Sequence, residues 1–171
     1  LQVDKSKLGP EFNFKKLKVN LDLKESFISL KDVGLLVPAL KGMDEKIEVS
    51  GQMAGTLPDL KGKNISLSIR ENTRLAFDFY LNGLPNIAST YMHIDLKQSF
   101  ADLNELIQVK LPDNFPLTQM KIPEQFMNAG IIEYNGNFTG FLSDFVAFGT
   151  FKSKWGVLTT DLSFVPLQEK N

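Results

Sequence analysis

Apolar residues in this chain recur two apart, and that spacing restricts the fold more than any other feature of the sequence. Leu17, Val19, Leu21 and Leu23 alternate with Lys16, Lys18, Asn20, Asp22 and Lys24. Ile65, Leu67 and Ile69 alternate with Ser66, Ser68 and Arg70; Leu75, Phe77, Phe79 and Leu81 alternate with Ala76, Asp78, Tyr80 and Asn82. Met92, Ile94 and Leu96 stand in the same way against His93, Asp95 and Lys97. Successive side chains leave a strand on opposite sides, so each run predicts a strand with one oily and one wet face. Glycines and prolines punctuate the runs: Gly34 with Pro38, Gly55 with Pro58, Gly83 with Pro85, then Gly149 and Gly156. Many one-sided strands with turns between them predict a mainly β, antiparallel fold.

One stretch breaks the pattern. In SFADLNELIQVKL, Ser99 followed by Asp102 reads as a helix N-cap with an acidic first turn, and Leu103, Leu106 and Ile107 share a helical face. This predicts a short helix near residues 100–109. Pro112, Pro116 and Pro123 make the following segment mostly loop, with one helical turn from Glu124 to Asn128 ending at Gly130.

The chain also repeats itself. Ile47 to Leu60 reads IEVSGQMAGTLPDL and Ile132 to Phe145 reads IEYNGNFTGFLSDF, an offset of 132 − 47 = 85 residues. The identities include both glycine pairs, Gly51 with Gly136 and Gly55 with Gly140. Val49 with Tyr134, and Met53 with Phe138, keep the inward positions apolar. Gly51 and Gly136 fall in that apolar register, where a missing side chain leaves room for a bend or another backbone. Gly55 and Gly140 begin a turn, and Asp59 and Asp144 are expected to cap its backbone. The expected organisation is a leader at residues 1–11, open to a vector origin, then one β domain of two repeats at about 12–90 and 91–171.

Composition removes most functional classes. The 171 residues are 43% hydrophobic and 23% charged, which describes a folded chain able to bury a core. A formal net charge of −1 offers no basic footprint, so no nucleic-acid partner is expected. Cysteine is absent and His93 is the sole histidine, which starves thiolate, zinc and histidine-based schemes of residues. No stretch approaches the ~20 apolar residues of a spanning helix. The opening residues lack the apolar centre of a signal peptide, and the chain begins without methionine, so a piece of a longer protein is expected.

No serine elbow, phosphate loop or carboxylate pair stands out, so neither catalysis, metal nor cofactor is expected. Asp44 and Glu45 read as solvated loop charge and His93 as a residue on a polar strand face. The sequons at Asn64 and Asn137 have meaning only in a eukaryotic secreted protein. Fourteen phenylalanines need a place. They fill either a closed core or an apolar trough left open for acyl chains or an unfolded strand.

GIIEYNGNFTGFLSDFVAFGTFKSKWGVLTTDLSF resembles the TamB family of translocation and assembly modules in its Bacteroidetes branch, through Gly136, Phe138, Gly140, Phe141, Asp144, Phe145, Gly149, Gly156 and Asp161. ISLKDVGLLVPALKGMDEKIEVSGQMAGTLPDLKGKNISL and GLPNIASTYMHIDLKQSFADLNEL extend the likeness over about residues 15–166. The resemblance implies a periplasmic segment of an inner-membrane-anchored, AsmA-like protein whose body is a curved, taco-like β-groove. It also implies phospholipid transport between membranes or outer-membrane protein assembly, with an Omp85-type partner met through other parts of the full-length chain. No catalytic residue transfers with it. Val49, Met53, Phe77, Phe79, Leu81, Tyr134 and Phe138 are then expected to line the groove. The rival reading is a closed β-sandwich serving as a structural or protein-binding module of the cell envelope. A glycan-binding adhesin would want more aromatic platforms than one Trp and three Tyr supply.

Overall fold

The computed structural model describes residues 16, 18–35, 40–110 and 124–165. Eight strands run up and down in chain order and form one antiparallel sheet: β1 (Lys18–Ser29), β2 (Lys46–Thr56), β3 (Asp59–Ser68), β4 (Arg74–Asn82), β5 (Tyr91–Asp102), β6 (Ile131–Phe141), β7 (Asp144–Ser153) and β8 (Gly156–Phe164). The mainly β, antiparallel architecture expected from the alternation is the one that forms. The sheet is open and uncurled, with β1 and β8 as its edges. No second sheet lies against it among the described residues, so the closed sandwich is not formed there. Leu17, Pro38, Phe12, Phe14, the leader and the three-proline segment lie outside the described residues.

Three single-turn helices sit at one end of the sheet: α1 (Leu30–Val33), α2 (Leu103–Leu106) and α3 (Glu124–Met127). The turn expected after Glu124 is α3, and Gly130 follows it with φ +75°. The helix expected near residues 100–109 is much shorter than the sequence suggests. Strand β5 continues through Asp102, and the N-cap is Asp102, whose carboxylate accepts from the Asn104 N–H at 2.8 Å. Ser99 is no cap. It is 1% exposed, accepts from the Ala76 N–H at 3.1 Å and donates to the Ala76 carbonyl at 3.3 Å. The sheet ladder outcompetes helix propensity here because Phe100, Ala101 and Asp102 find partners on β6 in Glu133, Ile132 and Ile131.

The repeat is longer than the sequence comparison found. Each half runs strand, short helix, hairpin, strand: β1–α1–β2–β3–β4, then β5–α2–(α3)–β6–β7–β8. The first strands match as well, with Asp22, Leu23, Lys24, Ser26 and Phe27 answered by Asp95, Leu96, Lys97, Ser99 and Phe100. Their offset is 95 − 22 = 73, shorter than 85 by twelve residues that lengthen the link between α2 and β6. Both strands carry a register shift at the same repeat position, between Leu23 and Ser26 and between Leu96 and Ser99. Such a bulge bends a strand locally and re-aims its side chains.

Hydrogen bonds stitch the helical end of the sheet. Glu105 of α2 accepts from the Asn72 backbone and side-chain N–H groups at 3.1 Å and from the fully buried Thr73 hydroxyl at 2.6 Å. Arg70 in the same turn pairs with Glu45 at 2.8 Å and donates to Gln108 at 3.2 Å. Glu45 is therefore a part-buried ion-pair partner and not the solvated loop charge its sequence context suggests.

Candidate functional site: the open apolar face

Directly opposed residues of an antiparallel pair project to the same side, so the ladders assign every strand position to a face. One row crosses all eight strands: Leu21, Met53, Gly62, Phe79, Ile94, Phe138, Ala147 and Leu162. The next row is Val19, Gly55, Leu60, Leu81, Met92, Gly140, Phe145 and Phe164. Neither row contains a polar side chain. Toward the helical end, Phe77 opposes Ile65 and Leu96, Val49 opposes Leu67, and Tyr134 opposes Ser99 and Phe151. All seven residues expected to line a groove thus share one face. Because the sheet is uncurled, they form an open surface and not the walls of a trough.

Aromatic rings tile this face. Phe77 and Phe79 lie 6.0 Å apart between centroids, Tyr134 and Phe151 4.4 Å, Phe138 and Phe145 4.8 Å, and Phe145 and Phe164 5.4 Å. Burial holds the Tyr134 phenol above its ordinary pKa, and its hydroxyl donates to the Phe148 carbonyl at 3.3 Å. The apolar side chains buried deeply among the described residues are few: Ile47, Val49, Ile65, Leu84, Met92 and Ala129. Most large side chains of the face are only partly covered, and Leu21, Phe151, Leu158, Leu162 and Phe164 are exposed.

The four repeat glycines hold special backbone. Gly51, Gly55, Gly136 and Gly140 all have positive φ. A Cβ on Gly51 would come within 2.8 Å of the Ile65 Cα, so the close approach of β3 at its bulge demands glycine there. Gly55 and Gly140 lie inside β2 and β6 and do not begin the turns. Those turns are the pairs Leu57–Pro58 and Leu142–Ser143. Asp59 and Asp144 open β3 and β7, and their carboxylates accept no hydrogen bond among the described residues, contrary to the capping role expected of them.

Where the helices meet the face, a hollow of about 520 Å³ opens between Leu103, Ala129, Ile132, Phe151, Trp155 and Leu158. Its lining comes from α2, β6, β7 and β8, with Ala129 just before β6 and Trp155 in the β7–β8 turn, and is almost wholly apolar. Composition alone does not locate it, because it is assembled from residues more than fifty positions apart.

The opposite face carries the charges. Asp78 accepts from the Asn64 N–H at 2.6 Å and from Lys97 at 3.0 Å. The Asn64 amide, aided by Lys97, holds the Asp78 carboxyl below its usual range against a smaller upward push from burial. Asn64 itself takes φ +52° in the β3 bulge. His93 lies on this polar face as expected, with Nδ1 at 2.7 Å from the Thr139 hydroxyl and Nε2 at 3.5 Å from Asp95. Among the described residues no three His, Cys, Asp or Glu side chains are grouped to hold a metal ion, and no helix is long and apolar enough to cross a membrane. No family model, no curated protein and no solved structure matches this chain.

Proposed function

We propose that this chain is a non-catalytic segment of a TamB-like envelope protein, and that its apolar face takes the acyl chains of phospholipids. The observation that carries the reading is the apolar row crossing all eight strands without a polar interruption and without a covering sheet among the described residues. Contiguous apolar surface of that extent is rare on soluble monomers and marks a place where something apolar is received. Acyl chains suit it because the face offers rings and aliphatic side chains but no array of polar groups to orient a head group. The hollow beside Trp155 would receive a chain end, while the opposite face, which carries the charges together with single exposed apolar residues such as Phe148, stays in water. On this reading the segment lies in the periplasm, with anchor and outer-membrane partner supplied by other parts of the full-length protein.

The test is photo-crosslinking in cells from a benzophenone amino acid at Phe79 and at Phe138, with Asn137 on the polar face as control. Lipid adducts at the first two positions and none at the third support the reading. Protein adducts alone at Phe79 and Phe138 would replace it with a protein-binding scaffold.

A further inference from the structure

Among the described residues β1 and β8 are the edges of the sheet, and they are the two sides of a junction that the chain already makes once inside itself. Strand β5 pairs with β4 at the centre of the sheet. Strand β1 matches β5 in sequence and in the position of its bulge. Strand β8 matches β4 by its ladder, since Leu81 pairs with Leu60 as Phe164 pairs with Phe145, the residue at the same repeat position as Leu60. Phe164, Leu162, Asp161 and Val157 therefore occupy the places of Leu81, Phe79, Asp78 and Arg74.

The geometry points to a head-to-tail association in which β1 of a second copy adds antiparallel to the free edge of β8, in the register of β4 with β5. That register sets Val19 against Phe164, Leu21 against Leu162 and Phe27 against Val157, copying Met92 on Leu81, Ile94 on Phe79 and Phe100 on Arg74. Phe27 at 83% and Val157 at 67% are the most exposed large hydrophobic residues among those described, and this register brings them together. The charges repeat the internal junction as well, with Asp161 facing Asp22 as Asp78 faces Asp95 and a lysine beside each pair. Lys97 lies 3.0 Å from Asp78 across the internal junction, and the residues at the equivalent places are Lys24 on one edge and Asp161 on the other. Lys24 meets only its neighbour Asp22, at 3.1 Å with both side chains in solvent, and Asp161 makes no ion pair among the described residues. The bulge at Lys24 and Glu25 is no obstacle, because β5 carries the same bulge and pairs on both sides.

An even number of strands leaves the second copy pointing the same way as the first. The contact is therefore heterologous and can repeat, carrying the apolar face from copy to copy. Pairing of this kind satisfies the row of backbone groups that an edge strand presents to solvent. It holds whatever occupies the apolar face.

The chain has no cysteine, so single cysteines report the register cleanly. Leu21→Cys protein mixed with Leu162→Cys protein under mild oxidation should give the mixed disulfide in excess over both homodimers. Leu21→Cys mixed with Ser163→Cys, which projects to the other face, should not. Lys24→Asp should weaken self-association in sedimentation velocity by roughly two- to fivefold, and mixing with Asp161→Lys protein should restore it. Far-UV circular dichroism of each variant verifies that the sheet is intact. Excess of either homodimer, a mixed disulfide without register preference, or a chain that sediments as a monomer at every concentration would overturn the proposal.

Discussion

The ring of Phe79 occupies the space above Gly62, its partner across the β3–β4 ladder, so that a methyl group on Gly62 would overlap the ring, with Cδ1 only 2.6 Å away. The same device recurs in the second half, where Tyr134 covers Gly149. In both places a residue without a side chain lets a large ring lie close against the sheet.

Gly62→Ala should therefore push Phe79 off its seat. The expected cost is about 1–3 kcal/mol, the range of an overpacked site. The urea midpoint measures it, and Gly149→Ala is the matched variant. An unchanged midpoint in both would mean that the rings do not rest on the glycines.

Ser99 and Ser26 stand at the same repeat position, one inside the sheet and one at its edge. Ser99→Ala strands the N–H and carbonyl of Ala76 in a buried place and should cost about 1–3 kcal/mol. Ser26 donates to the Lys24 carbonyl at 2.7 Å on a strand with an open side, and Ser26→Ala should change stability by no more than about 0.5 kcal/mol. Paired denaturation curves read the difference directly.

Acid should loosen the helical end of the sheet first. The Thr73 hydroxyl, then the Asn72 N–H groups, hold the Glu105 carboxyl below its ordinary value, while burial works in the other direction. A carboxylate whose folded pKa is depressed contributes its full stabilisation above the unfolded pKa and loses it as pH falls through the folded one. The melting temperature should thus decline between about pH 5 and about pH 3, and Glu105→Gln should flatten that decline. Asp78→Asn should remove a further part of the slope, since the Asn64 amide holds that carboxyl down in the same way.

Phe79→Ala should cost about 1–2.5 kcal/mol, below the ~3–5 kcal/mol of a phenylalanine sealed in a core, because the side chain is only partly buried among the described residues. The native protein should also enhance the fluorescence of an apolar dye, and Phe79→Ser with Phe138→Ser should reduce that signal. Full core-like destabilisation without dye binding would place a covering layer on the face.

Strand identity was legible in the sequence because alternation is a property of neighbours. The seven expected groove residues fall on one face for that reason: Phe77, Phe79 and Leu81 are fixed relative to each other by the pleat alone. Bulges were not legible. Whether Lys24–Glu25 or Lys97–Gln98 shifts the register depends on which strand lies opposite, and nothing local announces it. The kinship of β1 and β5 was hidden by the longer second link, which moves the offset from 85 to 73 and out of frame with the hairpins. Ser99 was misread because Ser-x-x-Asp before leucines suits an N-cap as well as a buried bulge. Only the neighbouring Ala76 backbone decides between them.

A meander in which β1 touches β2, β2 touches β3, and so on to β8 never has to bring its ends together. Apart from the helix-bearing links β1–β2 and β5–β6 its loops are short to close, and because closure entropy grows only slowly with length, the cost of a new pairing rises little as the chain lengthens. Such a sheet can be laid down strand by strand, each new strand finding its template already in place. It should also come apart from its margins inward, with β1 and β8 exchanging their amide hydrogens long before β4 and β5 do.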